Sequence, residues 1–225
     1  QQHIAVWYIW LDRRNVIQRN LLCLLQILHD RSCRSHSNGI VCKPQSIQRP
    51  HMKMTAKAFY EPLYKMLYDV TPLKKDCGVL CDAACCKDGE EEAGMLLFPG
   101  EEQLLSDADF AKIEDSNCEF GKTGVAKLFV CNGVCDRHLR PLACRIFPLL
   151  PYRHVGEPLK LIMDPRARGM CPLSRSLEVS QLEPEFVSRV QKVAERILQL
   201  KDGADYIDML SDIADEADFL CQGKR

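Results

Sequence analysis

Four cysteines fall within ten residues of this chain: Cys77, Cys81, Cys85 and Cys86, in the run CGVLCDAACC. A second set follows in CNGVCDRHLRPLACRIFP, as Cys131, Cys135 and Cys144, and Cys171 lies further on beside Pro172. Thiolate is the ligand that selects zinc, copper(I) or iron–sulfur over hard cations. The eight thiols suffice for two four-cysteine sites. The later cysteines lie 45 to 85 residues beyond Cys86. A fold that uses both sets must therefore bring distant segments together, with CGVLCDAACC as one half of a clamp.

The other uses of cysteine fit less well. The chain has 225 residues and thirteen cysteines, an odd number that cannot all pair within the chain. Gln1 to Trp10 has no basic start of the secretory kind. The apolar runs Ile4–Leu11 and Leu21–Leu28 are too short to span a bilayer. The expected compartment is a reducing cytoplasm, where grouped cysteines read as metal-binding or catalytic rather than as disulfides.

Charge divides the chain. Residues 1–54 hold eight Lys/Arg against two acids, net +6, and residues 55–225 are net −7. A basic arm for nucleic acid or membrane is one explanation of the first segment. The preferred one is a non-native or disordered leader over residues 1–51, with the native start at Met52 or Met54. Cys23, Cys33 and Cys42 then carry little functional weight. The expected organisation is that leader, a cysteine-cluster domain over 52–180, and a C-terminal helical hairpin over 181–221 packed on it.

Periodicity supplies the elements. Thr55 is an N-cap for a helix carrying Phe59, Leu63, Met66 and Leu67 at helical spacing. An acidic turn spans residues 88–92, Met95–Phe98 is a short strand, and Glu101–Leu105 makes one or two helical turns. Ala111–Phe120 and Val125–Cys131 flank a hairpin loop at residues 121–124, and a second hairpin turns at residues 155–157. Pro184 sits at the favoured first turn of an amphipathic helix reaching about Leu200. A second helix follows over Ala204–Phe219, with an acidic outer face expected to be solvated. The fold class is α+β: a small, irregular, metal-organised centre with short β-hairpins, flanked by an N-terminal helix and the C-terminal helical pair. Such a centre has few ways to bury apolar area. A structural zinc would supply folding free energy of order 10 kcal/mol.

The spacing constrains the ligands. On one helix, Cys77, Cys81 and Cys85 would share a face, and Cys86 would point about 100° away. Cys85 and Cys86 therefore serve different metals, or one of them bridges. Gly78 would let the backbone turn, Asn132-Gly133 gives a turn between Cys131 and Cys135, and Cys118 is a ninth candidate. Arg140, Arg145, Arg166 and Arg168 would offset the charge of metal-bound thiolates.

These residues resemble a known family. CGVLCDAACC, then CDRHLRPLACRIFP, then a distal cysteine in RGMCPL are similar to the cysteine-cluster proteins of the YkgJ type, over about residues 54–180. The resemblance implies a zinc- or iron-chelating domain. By position it implies Cys81, Cys85, Cys86, Cys135, Cys144 and Cys171 as ligands, with Cys77 and Cys131 joining them. Many such proteins open with C-x2-C-x2-CC, whereas this chain has three residues in each gap.

The functional expectation is metal chelation through thiolates, by zinc or an iron–sulfur cluster at one or two sites. The alternatives are an iron–sulfur redox or group-transfer accessory enzyme, and a zinc-stapled protein or nucleic-acid interaction module. The net acidity of residues 55–225 argues against phosphate binding. No P-loop or dinucleotide fingerprint occurs. A cysteine hydrolase would need a His base positioned by a third group; His138 lies only three residues from Cys135, and His154 is the other candidate, and a lone His of this kind is more often a surface or structural residue.

Overall fold

Thr55 caps the first helix as its sequence predicts: its hydroxyl accepts from the Ala58 amide at 3.2 Å. Helix α1, Ala56–Met66, carries Pro62 inside it and buries Phe59, Tyr60 and Leu63. The computed structural model describes residues 55–86, 94–133 and 137–222. All lie in one compact unit, Lys53–Arg225. The expected leader, Cys23, Cys33, Cys42, the acidic turn at 88–92 and Cys135 lie outside the described residues.

After α1 come a single helical turn α2, Gly78–Cys81, strand β1, Met95–Leu97, and helix α3, Glu102–Leu105. Strands β2, Ala111–Phe120, and β3, Gly124–Cys131, form the first expected hairpin. They pair antiparallel with a bulge between Asp115 and Glu119. β1 adds to the other edge of β3, giving a sheet ordered β1-β3-β2. Helix α4, Leu142–Ile146, leads into the second hairpin, β4, Leu149–Tyr152, and β5, Lys160–Met163. Helix α5, Pro172–Ser176, precedes the two long helices α6, Pro184–Ile197, and α7, Gly203–Gln222. The protein is thus α+β with small antiparallel sheets.

The middle of the chain is better cored than its broken elements suggest. Phe98, Ala126, Leu142, Ile146, Leu149 and Leu150 come from it and are all buried. They pack with Phe59, Leu63, Phe186, Val190, Ile197 and Ile207 from the helices. A smaller cluster joins Leu97, Leu105, Ala108 and Phe129 under the β1-β3-β2 sheet. Each such side chain contributes about 1.5–3 kcal/mol on burial. The expectation of a centre with few ways to bury apolar area is corrected, because short strands and single helical turns present one apolar face as effectively as long ones.

The acidic face of α7 also departs from a merely solvated one. Arg153 Nε donates to Asp208 at 2.8 Å, and the Arg153 amide donates to Ser211 Oγ at 2.9 Å. The Tyr152 hydroxyl donates to Asp215 at 2.8 Å, and His154 lies 3.0 Å from the same carboxylate. Arg168 pairs with Asp218. These contacts seam α7 to β4 and to the 3-10 turn Pro165–Gly169. Helix α6 packs on α1 and on β4. Among the described residues, no helix is long and apolar enough to cross a membrane.

Candidate metal centre

Asp76 starts the cysteine run. Its Oδ1 accepts from the Gly78 amide at 3.0 Å, which turns the chain into α2. The Cys81 thiol then donates back to the Cys77 carbonyl at 3.5 Å. The helix stops there. Asp82 and Ala83 take left-handed backbone angles, φ 53° and 52°, and a 3-10 turn Ala84–Cys86 follows. The single helical face expected for Cys77, Cys81 and Cys85 is therefore corrected. A left-handed alanine is strained by about 1–2 kcal/mol, and two such residues in succession redirect the chain before the vicinal pair. Gly78, expected to permit a tight turn, has no positive φ; the reversal falls on Asp82-Ala83 instead.

The redirected run still gathers thiols. Burial pushes the Cys77 thiol up, and the charges of Asp76, Cys81 and Cys171 push it in the same direction. Cys85 in turn feels Cys86, Cys81 and Cys144. Cys85 and Cys86 have their sulfurs 3.9 Å apart. The hydrogen bond from Cys85 lowers Cys86 to about 6, aided by Arg140 and opposed by burial; Cys85 keeps the shared proton and is raised. Of the distal set, Cys144 on α4 and Cys171 at the start of α5 are the ones whose charges bear on the first run.

Cys131 ends β3 and packs against the smaller apolar cluster. Two residues on, Gly133 has φ +82°, and a Cβ there would sit 2.5 Å from the Cys86 carbonyl oxygen. Only glycine allows this approach, which sets the Asn132-Gly133 turn directly against the vicinal pair. Cys118 lies elsewhere. It is half-buried on β2, raised by burial and facing Arg166. Cys221, near the end of α7, interacts with Arg168.

Two of the four arginines expected around the thiolates are committed elsewhere. Arg166 forms a forked pair with the buried Asp164, at 2.9 and 2.7 Å, and Arg168 is held by Asp218. Arg140 faces Cys86. Arg145 Nε donates to the Arg140 carbonyl at 2.6 Å and its Nη2 to the His138 carbonyl at 3.1 Å. His138 stacks on Tyr68, centroids 5.5 Å apart.

No family model, no curated protein and no solved structure matches this chain. What the corner can do is therefore set by its own side chains. None of the nine cysteines among the described residues is in a disulfide. Among the described residues no group of three or more His, Cys, Asp or Glu side chains stands close enough to hold a metal ion as placed. The donor set nevertheless fits a soft metal in kind: thiols only, unbridged, mostly half-buried, with Arg140 beside them. Exposed Val79 (84%) and Leu80 (72%) project from α2 between Cys77 and Cys81. Two contributors carried no recognised signal in the sequence: Asp76, whose place just before Cys77 is a legible turn signal in hindsight, and Glu101, which had none.

Proposed function

We propose that this chain is a metal-chelating cysteine-cluster protein, binding zinc or an iron–sulfur cluster through thiolates. The observation that supports it is that Cys77, Cys81, Cys85, Cys86, Cys144 and Cys171, from three separate segments, lie outside any disulfide, with the Cys85 and Cys86 sulfurs 3.9 Å apart and the charges of Cys171 and Cys144 bearing on Cys77 and Cys85. Cys131 and Cys135 complete the set from the segment whose Gly133 abuts Cys86. The resemblance of these runs to YkgJ-type proteins points the same way. The metal organises the irregular cysteine corner, while the flanking helices and hairpins belong to the core. A bound zinc would act as a structural staple, and a cluster would supply electron transfer. The chain's own residues hold the thiols in register and offset their charge through Arg140. A reducing cytoplasm suits the unbridged thiols among the described residues.

The test is anaerobic purification with metal analysis and a visible spectrum. Zinc in a colourless protein supports structural sites; iron with matching sulfide and visible absorption supports a cluster. Folded protein that contains no metal and takes up neither would overturn chelation. A zinc-stapled interaction module is the second reading, favoured by the exposed Val79 and Leu80 beside the thiols.

A further inference from the structure

Glu101 is completely buried, yet the cysteine ligands make no use of it. Three donors converge on its carboxylate. The Leu142 amide donates to Oε1 at 2.6 Å, the Tyr64 hydroxyl to the same oxygen at 2.7 Å, and the Phe98 amide to Oε2 at 3.0 Å. Leu142 is the first residue of α4, whose third residue is Cys144. A carboxylate at the first amide of a short helix fixes where that helix begins. Tyr64 carries the connection further. The Arg145 guanidinium lies 4.5 Å over its ring, and Arg145 binds the carbonyls of Arg140 and His138. One buried carboxylate thus holds the Leu142 amide directly and, through Tyr64 and Arg145, is linked to the carbonyls of Arg140 and His138. The 138–145 arm carries Cys144, whose charge bears on Cys85, and Arg140, whose charge bears on Cys86.

We propose that Glu101 is the positioning residue of the metal centre, fixing the 138–145 arm so that Cys144 and Arg140 face the vicinal Cys85–Cys86 pair. This rests on the chelation proposed above. Buried groups that orient ligands typically change metal affinity by about 10–100-fold when replaced. Glutamine is nearly isosteric but cannot substitute. Its amide offers one acceptor oxygen and a donating NH2, so at least one of the three converging donors meets another donor.

The experiment compares the full chain with Glu101→Gln, Tyr64→Phe and, as a control, Ser211→Ala, which removes a buried hydroxyl on α7 that binds the Ile207 carbonyl. Cobalt(II) affinity is read anaerobically from thiolate charge-transfer absorption in competition with a chelator. Separately, the metal-free proteins are treated with a short bis-maleimide, which adds across two thiols, and the Cys85–Cys144 product is quantified by mass spectrometry. Glu101→Gln should weaken cobalt binding about tenfold or more, and both it and Tyr64→Phe should lower the Cys85–Cys144 product, while Ser211→Ala leaves both readouts at the wild-type level. Wild-type affinity and cross-linking in Glu101→Gln and Tyr64→Phe would overturn the proposal, as would an equal loss in Ser211→Ala. If Glu101→Gln does not fold, Tyr64→Phe decides. If the wild-type chain binds no cobalt, chelation fails, and the metal-free cross-link still decides whether Glu101 positions the arm.

Discussion

The helix-packed core and the cysteine corner solve opposite problems within one chain. In the core, Phe186, Val190 and Ile197 are completely buried, and α6 follows one apolar stripe for 14 residues. In the corner, α2 lasts four residues, Val79 and Leu80 point to solvent, and the backbone reverses through left-handed Asp82 and Ala83. The core is held by area removed from water. The corner is held by hydrogen bonds to its borders and leaves its thiols half-buried and unbridged. A region that keeps strain and soft donors, beside a core that needs neither, is one shaped for something other than its own stability.

The largest effect separating the two regions is in the core. Phe186→Ala should cost about 3–5 kcal/mol, by cavity formation and lost burial, and by the same amount with or without metal. Denaturant unfolding of both forms measures it. A cost that vanished on adding metal would mean that the core and the corner are not distinct.

Next comes a pH effect at their border. Burial of Glu101, opposed by its three hydrogen bonds and by Arg145, raises its carboxyl above the ordinary 4.5. The folded state then holds that proton more tightly than the unfolded chain does. The stability this contributes is fully present below pH 4.5 and is lost as pH rises through the raised value. The unfolding free energy of wild type minus that of Glu101→Gln should therefore fall with rising pH across that window. A flat difference would contradict a raised carboxyl.

Two smaller effects probe the corner itself. Ala83→Gly removes the left-handed strain and should stabilise the metal-free protein by about 1 kcal/mol. Thermal unfolding reads this directly, and a loss of stability would show that the Ala83 methyl makes a contact worth more than the strain. Leu80→Ser should change metal-free stability by no more than about 0.5 kcal/mol, since the side chain is already in water. A larger loss would place Leu80 in the core.

Much of the core was legible because it follows periods. Thr55 as a cap, the turn at 121–124 between two strands, and Pro184 at a first helical turn are local signals that tertiary packing left alone. The corner was legible in composition but not in shape. Nothing in CGVLCDAACC announces that Asp82 and Ala83 turn left-handed, since neither is glycine; that reversal is imposed by the segments packed around it. Arg166 and Arg168 were expected at the thiolates, yet Asp164 and Asp218 are nearer partners, and a guanidinium takes the carboxylate first. Glu101 was invisible for the same reason. Its role exists only where the ends of β1, α1 and α4 meet, up to 41 residues apart in sequence.

Site-resolved thiol alkylation with and without saturating zinc, read by mass spectrometry, tests the central claim most directly. A metal-holding corner predicts that zinc protects Cys77, Cys81, Cys85, Cys86, Cys131, Cys135, Cys144 and Cys171. Cys118 and Cys221, which interact with Arg166 and Arg168 and are not among the proposed ligands, should react at the same rate in both states. Equal labelling of the eight in the presence and absence of zinc, and of iron with sulfide, would contradict it.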